Sequence, residues 1–176
     1  MDTREQAKVV ILGIIDAAGE CFAGQVRLYK AFWAAHLCHH HREAGELTDH
    51  PVVRMPHGPG IDGGESILAE LVAEGRLRKT EQPCGPYTEQ VFHLTGNAPA
   101  LNEAKRRSIL EAVAWVTGRS GAELSQLTHE HSREWIRRPD GAEMTVALDA
   151  MSEPEYQAMR RRQESVADDV AAVFGA

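Results

Sequence analysis

The sequence predicts a mainly α-helical α+β fold, a single compact helical domain carrying a short β-hairpin. Three observations predict it. Apolar residues recur at helical spacing through most of the 176 residues. Serine and threonine caps precede several of these runs. Glycine and proline crowd into one stretch around 45–64, and only there and at 76–95 does the pattern turn strand-like.

Taken in order, Thr3 and Gln6 have capping-box spacing, and Ala7, Val10, Ile11, Ile14 and Ala18 form the apolar stripe of a first helix that Gly19 ends. Residues 22–43 read as a longer second helix, with Val26, Tyr29, Trp33 and Leu37 on one face. Pro51–Met55 suits a short strand before the glycine-rich turn. A third helix is expected at 64–74, capped by Asp62, with Ile67, Leu68, Leu71 and Val72 buried and Gly75 as its stop. Residues 76–80 and 90–95 alternate as two strands joined by a loop at 81–89. The chain from Leu101 is helical again, with Ile109, Ala112, Val113 and Val116 facing one way. Ser120 with Glu123 opens another helix carrying Leu124 and Leu127. Ser152, Pro154 and Glu155 open the last one, whose row Tyr156, Met159, Gln163, Val166, Val170 and Val173 is close to a heptad seam. That seam is expected to pack on the chain itself, with a partner or a second copy as its alternative cover. The expected division is a main domain at 1–150 and a C-terminal helix at 151–176.

Composition narrows the function. No apolar run approaches the ~18 residues of a membrane span. The start MDTREQ lacks signal-peptide character, and three scattered cysteines without a CxxC pair suit reduced thiols in a cytoplasmic protein. The net charge of −7, with neither half basic, argues against a nucleic-acid partner. Clusters such as Lys105-Arg106-Arg107 and Arg160-Arg161-Arg162 are embedded among carboxylates and read as solvated surface.

Catalytic and cofactor motifs are weak. His36 and His40 stand four apart, as a zinc-chelating helical pair would, but the glutamate of HExxH is missing. Distant fellow ligands would have to come from His57, Cys84, His93 or His129. A structural histidine cluster His36–His41 is the favoured reading, with no metal and no cofactor expected. The turn His57-Gly58-Pro59-Gly60 lacks the lysine of a phosphate loop and leads into Asp62 and Glu65. Ser120 in G-R-S-G is a helix cap rather than a nucleophile elbow. An enzyme is therefore not expected. His129 is placed to interact with helix-terminal carbonyls, and Trp135 to bury the departing loop with its indole N–H on a carbonyl.

The string Leu124-Ser125-Gln126-Leu127-Thr128-His129 followed by Trp135 resembles the LSxLTH…W signature of the Panacea domain family, which includes SocA-like antitoxins and phage-associated proteins. Val26–Trp33 is similar to the family's Tyr-containing second helix, and His57-Gly58-Pro59 to its Y-G-P turn, with histidine in place of tyrosine. The resemblance spans about residues 5–135. It implies a helical fold with a small β element and a protein that neutralises a co-encoded toxin by direct contact. One type in the family is a proteolytic adaptor, so a protease is a further implied partner. Tyr29, Trp33, His57, Gly58, Thr128, His129 and Trp135 are the partner-binding candidates on this reading. Two alternatives stand beside it. One is a winged-helix-like DNA-binding regulator, from the helix–helix–strand–helix–hairpin order over 3–95. The other is a metal-dependent enzyme using His36 and His40.

Overall fold

A computed structural model describes residues 2–42 and 45–174, with side chains described as far as Ala167. Helix α1 (Thr3–Ala17) buries residues on most of its circumference, including Val10, Ile11, Ile14 and Ile15. Its N-cap is Asp2, without a side-chain cap bond, so the expected Thr3–Gln6 box does not form. Gln6 is used elsewhere: its amide donates to Asp49 Oδ2 at 3.0 Å, and its carbonyl accepts from the Asp49 backbone N–H at 3.0 Å. Gly19 (φ 88°) and Glu20 (φ 66°), both left-handed, then turn the chain back into strand β1 (Cys21–Ala23).

The second helix is shorter than expected. α2 (Gln25–His40) starts after β1 rather than at residue 22, and the expected last residue, Glu43, lies outside the described residues. Every residue from Leu28 to His36 is buried, so α2 is enclosed rather than amphipathic. α1 and α4 (Glu103–Val116) pack against it, as do α5 (Gly121–His131) and α7 (Val146–Ala150).

Two strands, β2 (Val52–Met55) and β3 (Gly58–Ile61), pair antiparallel with Met55 opposite Gly58, so Pro56 and His57 form the two-residue turn. The glycine stretch expected to be only a turn thus supplies a buried strand. Next, α3 (Gly64–Ala73) is entered from Gly63 (φ 58°) and has no side-chain cap, against the expected Asp62. Ile67, Leu68 and Leu71 are buried, but Val72 is 38% exposed and leaves the predicted stripe. The carboxylates at its C-terminal end are paired to α1. Arg4 Nη2 meets Glu70 at 2.6 Å, and Lys8 Nζ meets Glu70 at 3.1 Å and also pairs with Glu74, while Arg76 beyond the helix meets Glu5 of α1 at 2.7 Å.

Strands β4 (Leu77–Cys84) and β5 (Tyr87–Leu94) run further than predicted and meet in a tight turn at Gly85-Pro86. The sheet order is β1-β5-β4, antiparallel, with Phe22 opposite Phe92 on the core side. With β2–β3 set aside, the order of α1, β1, α2, α3, β4 and β5 is that of a winged helix.

Ser120 and Glu123 make the predicted capping box, with Ser120 Oγ accepting from the Glu123 N–H and the Glu123 carboxylate accepting from the Ser120 N–H at 2.7 Å. Short helix α6 (Arg133–Arg137) follows at once, its Ser132 cap accepting from the Trp135 N–H. Half-buried Asp149 of α7 accepts from Ser132 Oγ at 2.6 Å and from the Glu134 N–H at 3.0 Å, closing this corner. The last helix, α8 (Glu153–Phe174), packs on the domain through Tyr156, 2% exposed. Of the expected seam, Tyr156 is buried and Met159 half-buried, whereas Val166 is 58% exposed, and the side chains of Val170 and Val173 lie outside the described residues. No helix among the described residues is long and apolar enough to cross a membrane.

The Ser120 cap is a local support of α5, so Ser120→Ala is expected to cost about 1 kcal/mol. The check is a urea titration, with the midpoint lowered and the slope unchanged.

Candidate functional site

Five of the seven sequence-predicted residues come together where α5 and α6 cross the β2–β3 turn. Trp135 donates its indole N–H to the Met55 carbonyl at 2.8 Å, the kind of bond expected from the sequence. His129 stacks face to face on the Trp135 ring, centroids 3.7 Å apart and 11° from parallel. On that ring also sits the Arg54 guanidinium, 4.3 Å from the centroid, while Arg54 Nε donates to the Trp135 carbonyl at 3.3 Å and its far nitrogen pairs with Asp140. Such a cation–ring pairing joins charge to an aromatic face without needing a dry environment.

Gly58 and Thr128 meet beneath this stack. A Cβ on Gly58 would collide with Thr128 Oγ1 and sit 2.6 Å from Lys30 Nζ, and the backbone there has φ 102°. Both facts demand glycine. Thr128 is 1% exposed and donates to the Ser125 carbonyl at 2.9 Å. His57 is exposed at the tip of the turn.

Tyr29 and Trp33 are placed differently. Each is 6% exposed and belongs to the core. The Tyr29 ring lies against Gly60 and Gly64, and its hydroxyl accepts from Gln25 at 2.8 Å. Burial pushes its phenol up to about 12. Trp33 meets Trp115 edge to face, centroids 6.1 Å apart. Trp33 stays within the core, whereas Tyr29 also lines the small cavity beside Lys30.

The residue that sequence reasoning missed is Lys30, 1% exposed at the centre of the cluster. Its Nζ donates to the Pro59 carbonyl at 3.0 Å, its one hydrogen bond among the described residues, and no carboxylate pairs with it. Loss of solvation therefore lowers it to about 7. His129 is also held below the ordinary histidine range, first by burial and then by Lys30, Arg54 and His57. Its Nε2 is buried without a partner. A signal was present in the sequence: between Arg27 and Arg42, Lys30 is the lone lysine, arginine or carboxylate in an otherwise apolar and histidine-bearing run.

Two hollows flank the cluster. A cleft of about 1130 Å³ separates the β4–β5 hairpin from α5, with His57 and His129 on one wall and Tyr87 on the other. Tyr87 is 78% exposed, the most exposed large apolar side chain among the described residues. A smaller cavity of about 270 Å³ reaches Lys30 and is lined also by Gln25, Tyr29, His57, Gly58 and Glu65. His57 borders both.

The histidine cluster is dispersed. His36 and His40 both turn to Glu46, at 3.8 and 2.8 Å, while His39 bonds Ser108 Oγ at 3.1 Å and His41 is exposed. Burial keeps His36 below its usual range, with Glu46 opposing. Among the described residues no three His, Cys, Asp or Glu side chains come together as a metal site would require. Comparison with family models, with curated proteins and with solved structures gave no match.

Two outcomes test this geometry. Because Lys30 is lowered in the folded state, the unfolded chain binds more protons between pH 7 and the free-lysine range, so folding stability rises with pH across that window. The cost of the buried charge is complete below pH 7 and gone above about 10.5. Lys30→Met is therefore expected to be more stable than the parent by a few kcal/mol at pH 6, the difference shrinking towards pH 10 in parallel denaturant titrations. Gly58→Ala is expected to destabilise by about 2–3 kcal/mol through strain and the collision with Thr128, read as a lowered thermal midpoint.

Proposed function

We propose that this protein works by binding another protein, as an antitoxin-like factor of the Panacea type that neutralises a co-encoded toxin by direct contact, and not as an enzyme. One observation carries the reading. Among the residues on which the family resemblance rests, Gly58 is far in sequence from Thr128, His129 and Trp135, yet the four assemble at one place beside an open cleft. They are held by packing, stacking and backbone hydrogen bonds rather than in a nucleophile–base arrangement. The cleft offers what protein recognition uses: an exposed aromatic at Tyr87 on one wall, polar side chains at the other, and a depth that can exclude water around an inserted side chain. On this reading His57, exposed at the lip, contacts the partner, whereas Tyr29 and Trp33 shape the wall from within. Delivery of the bound toxin to a protease is the adaptor form of the same proposal. A cytoplasmic location belongs to it as well, since a co-encoded intracellular toxin is met there.

Co-expression with the product of the neighbouring reading frame tests it. The neighbour alone is expected to arrest growth, and this protein to restore it. Tyr87→Ala, on an exposed hairpin tip, is expected to weaken rescue while leaving the thermal midpoint within about 1–2 °C. A harmless neighbour, or one whose lethality persists with this protein present, would overturn the proposal.

A second reading has one observation in its favour: the β1-β5-β4 order with α3 in the position of a recognition helix. A DNA reader needs a basic face there, and α3 presents Glu65 and Glu70 with Glu74 at its end. A salt-sensitive gel shift on DNA from the gene's own upstream region is the measurement that would favour it.

A further inference from the structure

Lys30 is the least ordinary group in the molecule. An ammonium has three N–H donors, and this one has a single acceptor, the Pro59 carbonyl. The groups around it from the neighbouring elements are basic or neutral apart from one rim carboxylate: Thr128 and His129 from α5, His57 from the β2–β3 turn, and Tyr29 from α2 itself. Arg54 is satisfied by Asp140 and by the Trp135 ring, so Asp140 is not available to Lys30. The nearest carboxylate on the cavity wall is Glu65, which is exposed at its rim and forms no ion pair with Lys30. A chain of net charge −7 has thus placed Lys30 and His57 on the wall of one hollow and left Lys30 without a counter-ion among the described residues. Buried polar groups are ordinarily satisfied, and a buried charge is ordinarily paired.

The cavity beside Lys30 has about 270 Å³, several times the ~30 Å³ share of a water molecule and enough for an acidic side chain with its aliphatic stem. Val26, Met55 and Pro59 give it apolar walls suited to such a stem. His57, exposed, borders both the cavity and the large cleft, as do Gln25 and Val26, so the two hollows lie side by side. We propose that this cavity is a socket for a carboxylate side chain of the partner protein, which enters from the cleft past His57 and accepts hydrogen bonds from Lys30. The proposal rests on the partner-binding reading above. It adds the chemistry of the anchor: an aspartate or glutamate at the tip of the inserted segment. A monoanion on an apolar stem suits these walls better than a phosphate, whose second charge would face Glu65 and have no further donor to meet it. Occupation would supply the missing counter-ion, so above neutral pH binding is accompanied by uptake of a proton on Lys30.

The chain has four lysines, which makes the test direct. In the full-length protein with 13Cε-labelled lysine, the Lys30 resonance is assigned by its loss in Lys30→Met, and each sample is titrated at pH 8 with propionate, with inorganic phosphate or with chloride at matched ionic strength. Propionate is expected to move the Lys30 signal saturably towards the charged-amine position and to raise its midpoint by at least one pH unit, while Lys8, Lys79 and Lys105 stay in place. Absence of a saturable response, or an equal response to chloride, would overturn the socket. Tighter binding of phosphate than of propionate would also overturn it, in favour of a free-phosphate site. The outcome is independent of growth rescue. Propionate binding with a harmless neighbour leaves the socket and removes the antitoxin reading, and rescue without propionate binding does the reverse.

Discussion

The enclosure of α2 is the constraint on which the rest of the structure depends. A helix exposed on one side can send its polar residues to water, but the unbroken buried run from Leu28 to His36 leaves no such side. Several polar groups in or beside that run find their partners in neighbouring elements. Lys30 finds the Pro59 carbonyl of β3, His36 lies 3.5 Å from Thr48 Oγ1, and His39 meets Ser108 of α4. These ties hold the β2–β3 hairpin, the loop before it and α4 around the central helix in a single register. Apolar packing alone is less particular, because volume-conserving rearrangements cost little. The polar contacts are what make one arrangement preferable to its neighbours.

The same logic explains why the candidate site lies where it does. α5 ends against the β2–β3 turn, and Gly58 lets the backbone pass close enough for Lys30 and Thr128 to share the space a Cβ would take. The stack of His129, Trp135 and Arg54 then closes the layer above, with the indole N–H on the Met55 carbonyl fixing its position along β2. A buried amine kept under this lid is costly, and replacing it with an apolar group of similar length would relieve that cost. Stability therefore does not account for Lys30, which is what the proposed role in recognition would explain.

Much of this was legible in the sequence where the controlling physics is local. The Ser120–Glu123 box, the glycine stops and the helical stripes rest on contacts between near neighbours, and the helices formed. What was misread depends on distant partners. Three residues, Cys21–Ala23, are a strand only because β5 hydrogen-bonds to them, and Gly58–Ile61 has little strand propensity until β2 pairs with it. The Thr3–Gln6 spacing suggested a cap, yet Gln6 has a better use in holding Asp49. In the candidate site, the aromatic and histidine members stood out by type, while Lys30 did not. A lysine in a helix normally snorkels to water, and only the packing around α2 shows that this one has no water to reach.

Charge, finally, is divided rather than merely negative. The carboxylates of α3, which sit where a DNA reader would need cations, are engaged by Arg4 and Lys8 of α1 and act as a clasp between two helices. That clasp is partly exposed, and pairs of this kind contribute little to stability. Around His129 the balance is inverted: Lys30, Arg54 and His57 all oppose its protonation, and Lys30 itself sits in a poorly hydrated hollow where fields are screened least. On the partner-binding proposal, a diffusing partner would meet an acidic exterior with one inward-facing basic point. Electrostatics of that form discriminates more than it attracts, since a partner must offer its own negative charge at one place to gain from it. A site of the proposed kind would therefore select for a particular acidic protrusion, which a uniformly basic surface could not do.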